Sequence, residues 1–198
     1  MQCLAGRWTA PLGQRMVPVP AVPGAGLVCA GAGDMARALT GLSAGDSTDP
    51  ALLGQAYAAE APLLRQIRAR EGMDDPCGAP EAFHDLPSHG PAMLLSAASV
   101  PLSRIMGLLI ALAPRGVVWK PAPGAAASAH LLMRVLVPQA GGQLALLQGD
   151  HATGALLARA TAAGQGALIW ASDAPLPDGV AASALFSARG PATDQHRR

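Results

Sequence analysis

The chain has 198 residues, 51% hydrophobic and 14% charged, with a formal net charge of +1. That length suits one domain with a sizeable core, and the apolar content excludes wholesale disorder. Near-neutral charge, with no basic run beyond the terminal Arg197-Arg198 pair, excludes a strongly basic nucleic-acid surface.

Basic residues are thirteen Arg and a single lysine, Lys120. The three cysteines, Cys3, Cys29 and Cys77, have neither CxxC spacing nor an even count. A disulfide framework or zinc site is therefore not expected, and a reducing cytoplasm is. No continuous apolar segment opens the chain as a signal peptide would, and the greasiest stretch, 105–113, is about half a membrane span.

In chain order, residues 1–26 are rich in Pro and Gly, with short β-like pieces at 4–9 and 16–19 that Pro18, Pro20 and Pro23 keep short. Residues 27–30 read as a short strand and 34–42 as a helix with Asp34 near its start. After a loop at 43–49, Asp49 as cap and Pro50 at the first position open a helix running to about Arg70. Its apolar face carries Leu53, Tyr57, Leu64 and Ile67, with Arg65, Arg68 and Arg70 offset from it, and Pro62 is expected to kink or split it. Residues 72–91 read as a Pro-rich linker.

A regular alternation follows: strand 92–97, helix 102–113, strand 116–120, helix 125–137, strand 144–147, helix 153–163, strand 167–171. Short apolar strands separated by helices of about three turns predict βαβ units and a Rossmann-like parallel sheet with flanking helices. Right-handed crossovers would bring the strand C-terminal ends to one edge, where ligands bind. Residues 173–198 read as loop, with a weak helix or strand piece at 180–188. The expected division is an irregular N-terminal lobe over 1–91 and the Rossmann-like unit over 92–198, in one compact domain overall.

The segment GVVWKPAPGAAASAHLLMRVL, 116–136, resembles the cofactor-binding strand and helix of the aldehyde dehydrogenase superfamily, in which an apolar strand ends in Lys-Pro-Ser-Glu or a variant before an Ala-rich helix. Lys120 and Pro121 match, and Pro123 stands at the glutamate position. Residues 99–116 resemble the family's Trp-Asn-Phe-Pro-Leu turn and helix, with Pro101 and Leu102 matching, Ala98 at the tryptophan position and Ser99 at the asparagine position. The segment LALLQGDHATGALLARA resembles the strand that ends in a glycine turn, keeping Gly149 and Gly154, with His151 where a second glycine is usual. ALIWASDA takes the place of Phe-Thr-Gly-Ser-Thr, with Ser172 matching and Ala171 replacing glycine. More loosely, residues 4–10 are similar to the family's Gly-Gly-x-Trp strand and 65–72 to the end of its early helix.

The resemblance implies an aldehyde-dehydrogenase-like cofactor-binding fold that takes NAD or NADP weakly, with Lys120, Pro121, Ser99, Gly149 and Ser172 as cofactor-binding residues. It implies no catalytic residue here, because the family's nucleophilic cysteine and general-base glutamate lie beyond the glycine-serine turn and the sequence ends 26 residues after Ser172. Cys3 in MQCLAG lies at the wrong end to serve, and Ser99 is shorter than an oxyanion-donating asparagine. The expectation is a protein without dehydrogenase activity by itself, a pseudoenzyme with a structural or regulatory role, whose partner is another protein or a second copy rather than nucleic acid or membrane. An alternative is an oxidoreductase component acting on an aldehyde with its catalytic half on a partner chain. A further one is a Rossmann oxidoreductase using the GxGxxA fingerprint Gly31–Ala36, for which no ribose-binding acid has second-strand context, Asp46 and Asp49 sitting in a loop. His84 and His89 flank Asp85 but lack a further ligand for a metal. His151, at a helix start, could favour a phosphate.

Overall fold

The computed structural model describes residues 1–4, 6–45, 48–87, 90–176, 178 and 180–186. Asp46, His89, the end of the 180–188 piece and the Arg197-Arg198 pair lie outside the described residues.

Four strands at the centre of the structure follow the apolar runs closely. They are β5 (Ala92–Ser96), β6 (Val117–Pro121), β7 (Leu144–Leu146) and β8 (Ala167–Ala171), counting from four short N-terminal strands: β1 (Gln2–Leu4), β2 (Arg7–Thr9), β3 (Met16–Pro18) and β4 (Gly26–Val28). Every residue of β5, β6 and β7 is buried, as expected of parallel strands covered on both faces. A last strand, β9 (Ala184–Phe186), pairs parallel with β8.

The large sheet runs β2-β1-β7-β6-β5-β8-β9. Its five strands from β7 to β9 are parallel. At the β7 edge the hairpin β1–β2 adds two antiparallel strands, so the sheet is mixed rather than wholly parallel. Gln2 is fully buried there, its amide donating to the Val28 and Gln148 carbonyls. Strands β3 and β4 form a separate antiparallel pair.

Side chains alternate across the strands and divide the core in two. Leu94, Val117, Trp119, Leu146 and Ile169 face one layer with α2 (Pro50–Arg70), α3 (Leu102–Leu112) and α4 (Ala126–Ala140). Met93, Leu95, Val118, Leu147 and Leu168 face the other with α1 (Ala32–Gly41) and α5 (His151–Ala162). From β5 the chain steps outward through β6 to β7 over the first layer. It then returns over the second, through α5, to β8 on the far side of β5. The strand order reverses between β5 and β8.

Helix α2 starts as its sequence dictates, Asp49 accepting from the Ala51 amide and Pro50 at the first position. It then runs unbroken through Pro62, contrary to a split. An interior proline costs about 3 kcal/mol. Pro62 lies on the exposed side, while Leu53, Tyr57 and Leu64 are at most 1% exposed on the other. Burial of about 1.5–3 kcal/mol for each of those side chains outweighs the proline.

Arg68 is a second departure: it is 1% exposed rather than offset from the apolar face. Its spacing explains why, since 53, 57, 64 and 68 share one helical stripe. The guanidinium pairs with Glu71 (3.2 Å) and Asp75 (3.1 Å) and donates to the Ala98 carbonyl at 2.7 Å.

Candidate functional site

In an open α/β sheet the C-terminal ends of the strands flanking the reversal leave a crevice. Here that crevice is a cleft of about 540 Å³. The ends of β5 and β8 contribute Ser96, Ala98, Trp170 and Ser172; the end of β6 contributes Lys120 and Pro123. Its long wall is one stripe of α5, where His151, Gly154, Ala155, Ala158, Arg159 and Ala162 recur at helical spacing. Most of the lining is apolar, as is usual for small-molecule sites.

Lys120 is the polar feature of this cleft. Alternation along β6 sets it on the α5 side with Val118, opposite Trp119, whose indole donates to Ser96 Oγ at 3.0 Å. Lys120 is only 6% exposed, yet among the described residues its ammonium has neither a hydrogen bond nor an ion pair. Burial pulls its pKa from the ordinary 10.5 down to about 8, against the opposing pull of the Asp150 carboxylate and Cys29. Asp150 itself is taken: it caps α5 by accepting from Thr153 and pairs with Arg15 at 2.6 Å. Desolvation pushes its carboxyl up, but the Thr153 amide, the Arg15 guanidinium and the Ala152 amide together hold it below the usual range.

Of the residues singled out in the sequence, Lys120 and Ser172 line the cleft together. Ser172 closes the β8 turn, its amide donating to the Phe186 carbonyl and its hydroxyl accepting from Ala174. Pro121 stays in the sheet, paired with Ser96. Ser99 sits exposed in the β5–α3 turn and does not line the cleft. Gly149 does not line it either. A Cβ at position 149 would lie 2.1 Å from the Thr153 hydroxyl, which donates to the Ala30 carbonyl, so this glycine serves a close approach of its turn to the first turn of α5. His151 is exposed at the start of α5, on the cleft. The Ala155–Arg159 stripe and Trp170 were not singled out; the helical recurrence of small residues after His151 was the available signal.

The Gly31–Ala36 fingerprint lies elsewhere. Its strand, β4, belongs to the two-stranded antiparallel sheet and not to a βαβ unit. The N-terminus of α1 is filled by Asp34, whose buried carboxylate accepts from the Gly31 and Leu12 amides, so a phosphate has no free place there. Asp49, in the loop that follows α1, is occupied as the α2 cap.

None of the three cysteines lines the cleft, although Cys29 lies close enough to Lys120 to act on its charge. Burial raises Cys3 and Cys77 to about 11, the nearby Asp75 carboxylate adding to the effect at Cys77. Neither is poised as a thiolate nucleophile near neutral pH. Among the described residues no group of His, Cys, Asp or Glu could hold a metal ion, and no helix is long and apolar enough to cross a membrane.

A parallel sheet with a strand-order reversal and a cleft at that reversal defines the doubly wound class of α/β fold. Within that class the chain has the fold of the aldehyde dehydrogenases, over part of their length. It superposes with a TM-score of 0.64 and 19% identity on a putative aldehyde dehydrogenase from Burkholderia cenocepacia, covering 86% of this chain and 46% of that one. The values for an aldehyde dehydrogenase from Bartonella henselae are 0.66, 17%, 86% and 46%. Those for a mutant of aldehyde dehydrogenase C from Pseudomonas syringae, in complex with NAD+ and octanal, are 0.63, 20%, 86% and 45%. The chain thus spans less than half the length of these structures. No family model matches the sequence, and no curated protein matches it.

Proposed function

We propose that this chain is an aldehyde-dehydrogenase-like NAD(P)-binding module that holds its nucleotide weakly and does not oxidise aldehydes by itself, acting in a structural or regulatory role. One observation carries the reading: Lys120, a largely buried side chain whose ammonium has no hydrogen bond or ion pair among the described residues, opens into an apolar cleft at the strand-order reversal. A desolvated cation left unpaired costs free energy, and an anionic ligand would recover it. The fold shared with a dehydrogenase solved with NAD+ supports a nicotinamide dinucleotide as that ligand. Weak binding follows from the substitutions around the cleft, since Pro123 offers no carboxylate to a ribose and loss of one or two hydrogen bonds is worth about fivefold to thirtyfold.

Support for inactivity comes from the cysteines, none of which lines the cleft. The test is an assay with NAD and NADP against short aliphatic and aromatic aldehydes. The expected result is no turnover above background, with a dinucleotide dissociation constant on the order of millimolar. Turnover that disappears with one cysteine would overturn the inactivity. Micromolar affinity for NAD would overturn the weak binding.

A further inference from the structure

We infer that the cleft captures apolar aldehydes on Lys120, whose uncharged amine condenses with the carbonyl to a reversible imine while the hydrocarbon chain lies between the sheet and α5. This goes beyond nucleotide binding, which uses the charged form of the same residue. Lys120 is the single lysine of the chain. It is largely buried, it opens into the cleft, and among the described residues its side chain has no hydrogen bond or ion pair. Desolvation in an apolar pocket is a general route to an amine nucleophile, because burial disfavours the ammonium. With the pKa pulled down to about 8, about a quarter of the side chain is free amine at pH 7.5, against about one part in a thousand for an ordinary lysine.

The sheet register lays out a track for the hydrocarbon. Lys120 on β6 pairs with Leu95 on β5, and Leu95 pairs with Trp170 on β8, so the three sit side by side on the α5 face and all line the cleft. Two strand spacings separate the ends of this row, about 10 Å, enough for an aldehyde of about six carbons. Opposite, α5 presents Gly154, Ala155 and Ala158, small residues that leave room for the chain. At the β8 end the polar groups are engaged within the protein. The Trp170 indole donates to the Ala174 carbonyl at 2.9 Å, and the Ser172 hydroxyl accepts from the Ala174 amide at 3.0 Å. The charged or titratable side chains on the cleft besides Lys120 are His151, Arg159 and Asp178, all exposed and none on that row. Such a track suits a neutral, apolar ligand.

The chemistry needs no oxidant or reductant. The uncharged Lys120 nitrogen adds to the carbonyl carbon, and one N–H proton passes to the oxygen, giving a carbinolamine. The hydroxyl then leaves with the second nitrogen proton as water, and a C=N bond remains. An imine is less basic than the amine it replaces, so the condensation relieves the cost of holding an ammonium in apolar surroundings. Carbon dioxide, another simple partner for a free amine, would leave an anionic carbamate in the same place, which burial disfavours. Asp150 and Cys29 act to keep Lys120 charged, but burial outweighs them.

The experiment equilibrates the whole chain with propanal or hexanal at pH 7.5, fixes any imine with sodium borohydride, and locates the secondary amine by peptide mass mapping. The amino terminus is the internal reference, and the same chain in guanidinium chloride is the unfolded one. Hexanal is expected to half-occupy Lys120 at a concentration at least tenfold below propanal, three methylenes being worth roughly sixtyfold when fully buried. The amino terminus is expected to show no such preference. Native Lys120 is expected to need at least tenfold less hexanal than unfolded Lys120. Equal response to the two aldehydes would remove the apolar track, and native labelling no stronger than unfolded would remove the reactive amine; either result overturns the inference. Both leave the nucleotide reading standing, since NAD binding is measured separately on the unmodified protein.

Discussion

Lys120→Met should make the protein more stable and at the same time less able to bind a nucleotide. Methionine keeps the unbranched stem but removes the charge from a residue that is only 6% exposed. The fall from 10.5 to about 8 means the charged form is disfavoured in the folded state. At about 1.4 kcal/mol per pH unit this amounts to roughly 3 kcal/mol. The sign follows from linkage. Below pH 8 the lysine is protonated folded and unfolded, and the folded state bears the whole burial cost. Between about 8 and 10.5 the unfolded chain binds more protons, so stability of the native protein rises with pH and the cost fades. The variant should therefore be more stable by about 1–3 kcal/mol at pH 7, the advantage shrinking toward pH 10.5. Urea unfolding of both proteins at pH 7 and pH 10 reads this directly. A variant that is less stable at pH 7, or whose advantage grows with pH, would refute the claim that an uncompensated ammonium faces the cleft.

Nucleotide phosphate binding should weaken by about tenfold between pH 6.5 and pH 9, because the ammonium is lost as pH rises through about 8; an NMR titration at the two pH values checks it. Arg68→Met should destabilise the fold by about 3–5 kcal/mol, leaving the Glu71 and Asp75 carboxylates buried without their cation, measurable by urea unfolding. Gly149→Ala should cost about 1–3 kcal/mol by driving a Cβ into Thr153, which thermal unfolding would register. Gly33→Ala should leave nucleotide binding intact in the same titration, since its new Cβ meets only the flexible end of Leu12 at 3.2 Å, away from the cleft.

Local patterns were enough to identify the parallel core. The apolar runs of β5, β6, β7 and β8 and the helices between them follow from side-chain periodicity. Asp49-Pro50 marks the start of α2 because capping needs only neighbouring atoms. The place of Lys120 at a strand end was equally visible, since strand end and lysine are adjacent in sequence. Its isolation was not: that depends on Asp150 being claimed by Arg15, 135 residues away in the chain.

What only the tertiary structure decided is which groups meet across long separations. Asp75 reaches the start of α3 from 27 residues away, and Glu71 the start of α4 from 57. Pairing of that kind has no local signature, because it follows from the layer in which α2 comes to rest. The hairpin β1–β2 likewise joins the β7 edge by contacts far apart in sequence, Cys3 pairing with Leu146. For the same reason Gly31–Ala36 reads as a phosphate loop in sequence and is a closed corner in the fold: Asp34 accepts from Leu12, which packing alone brings beside it.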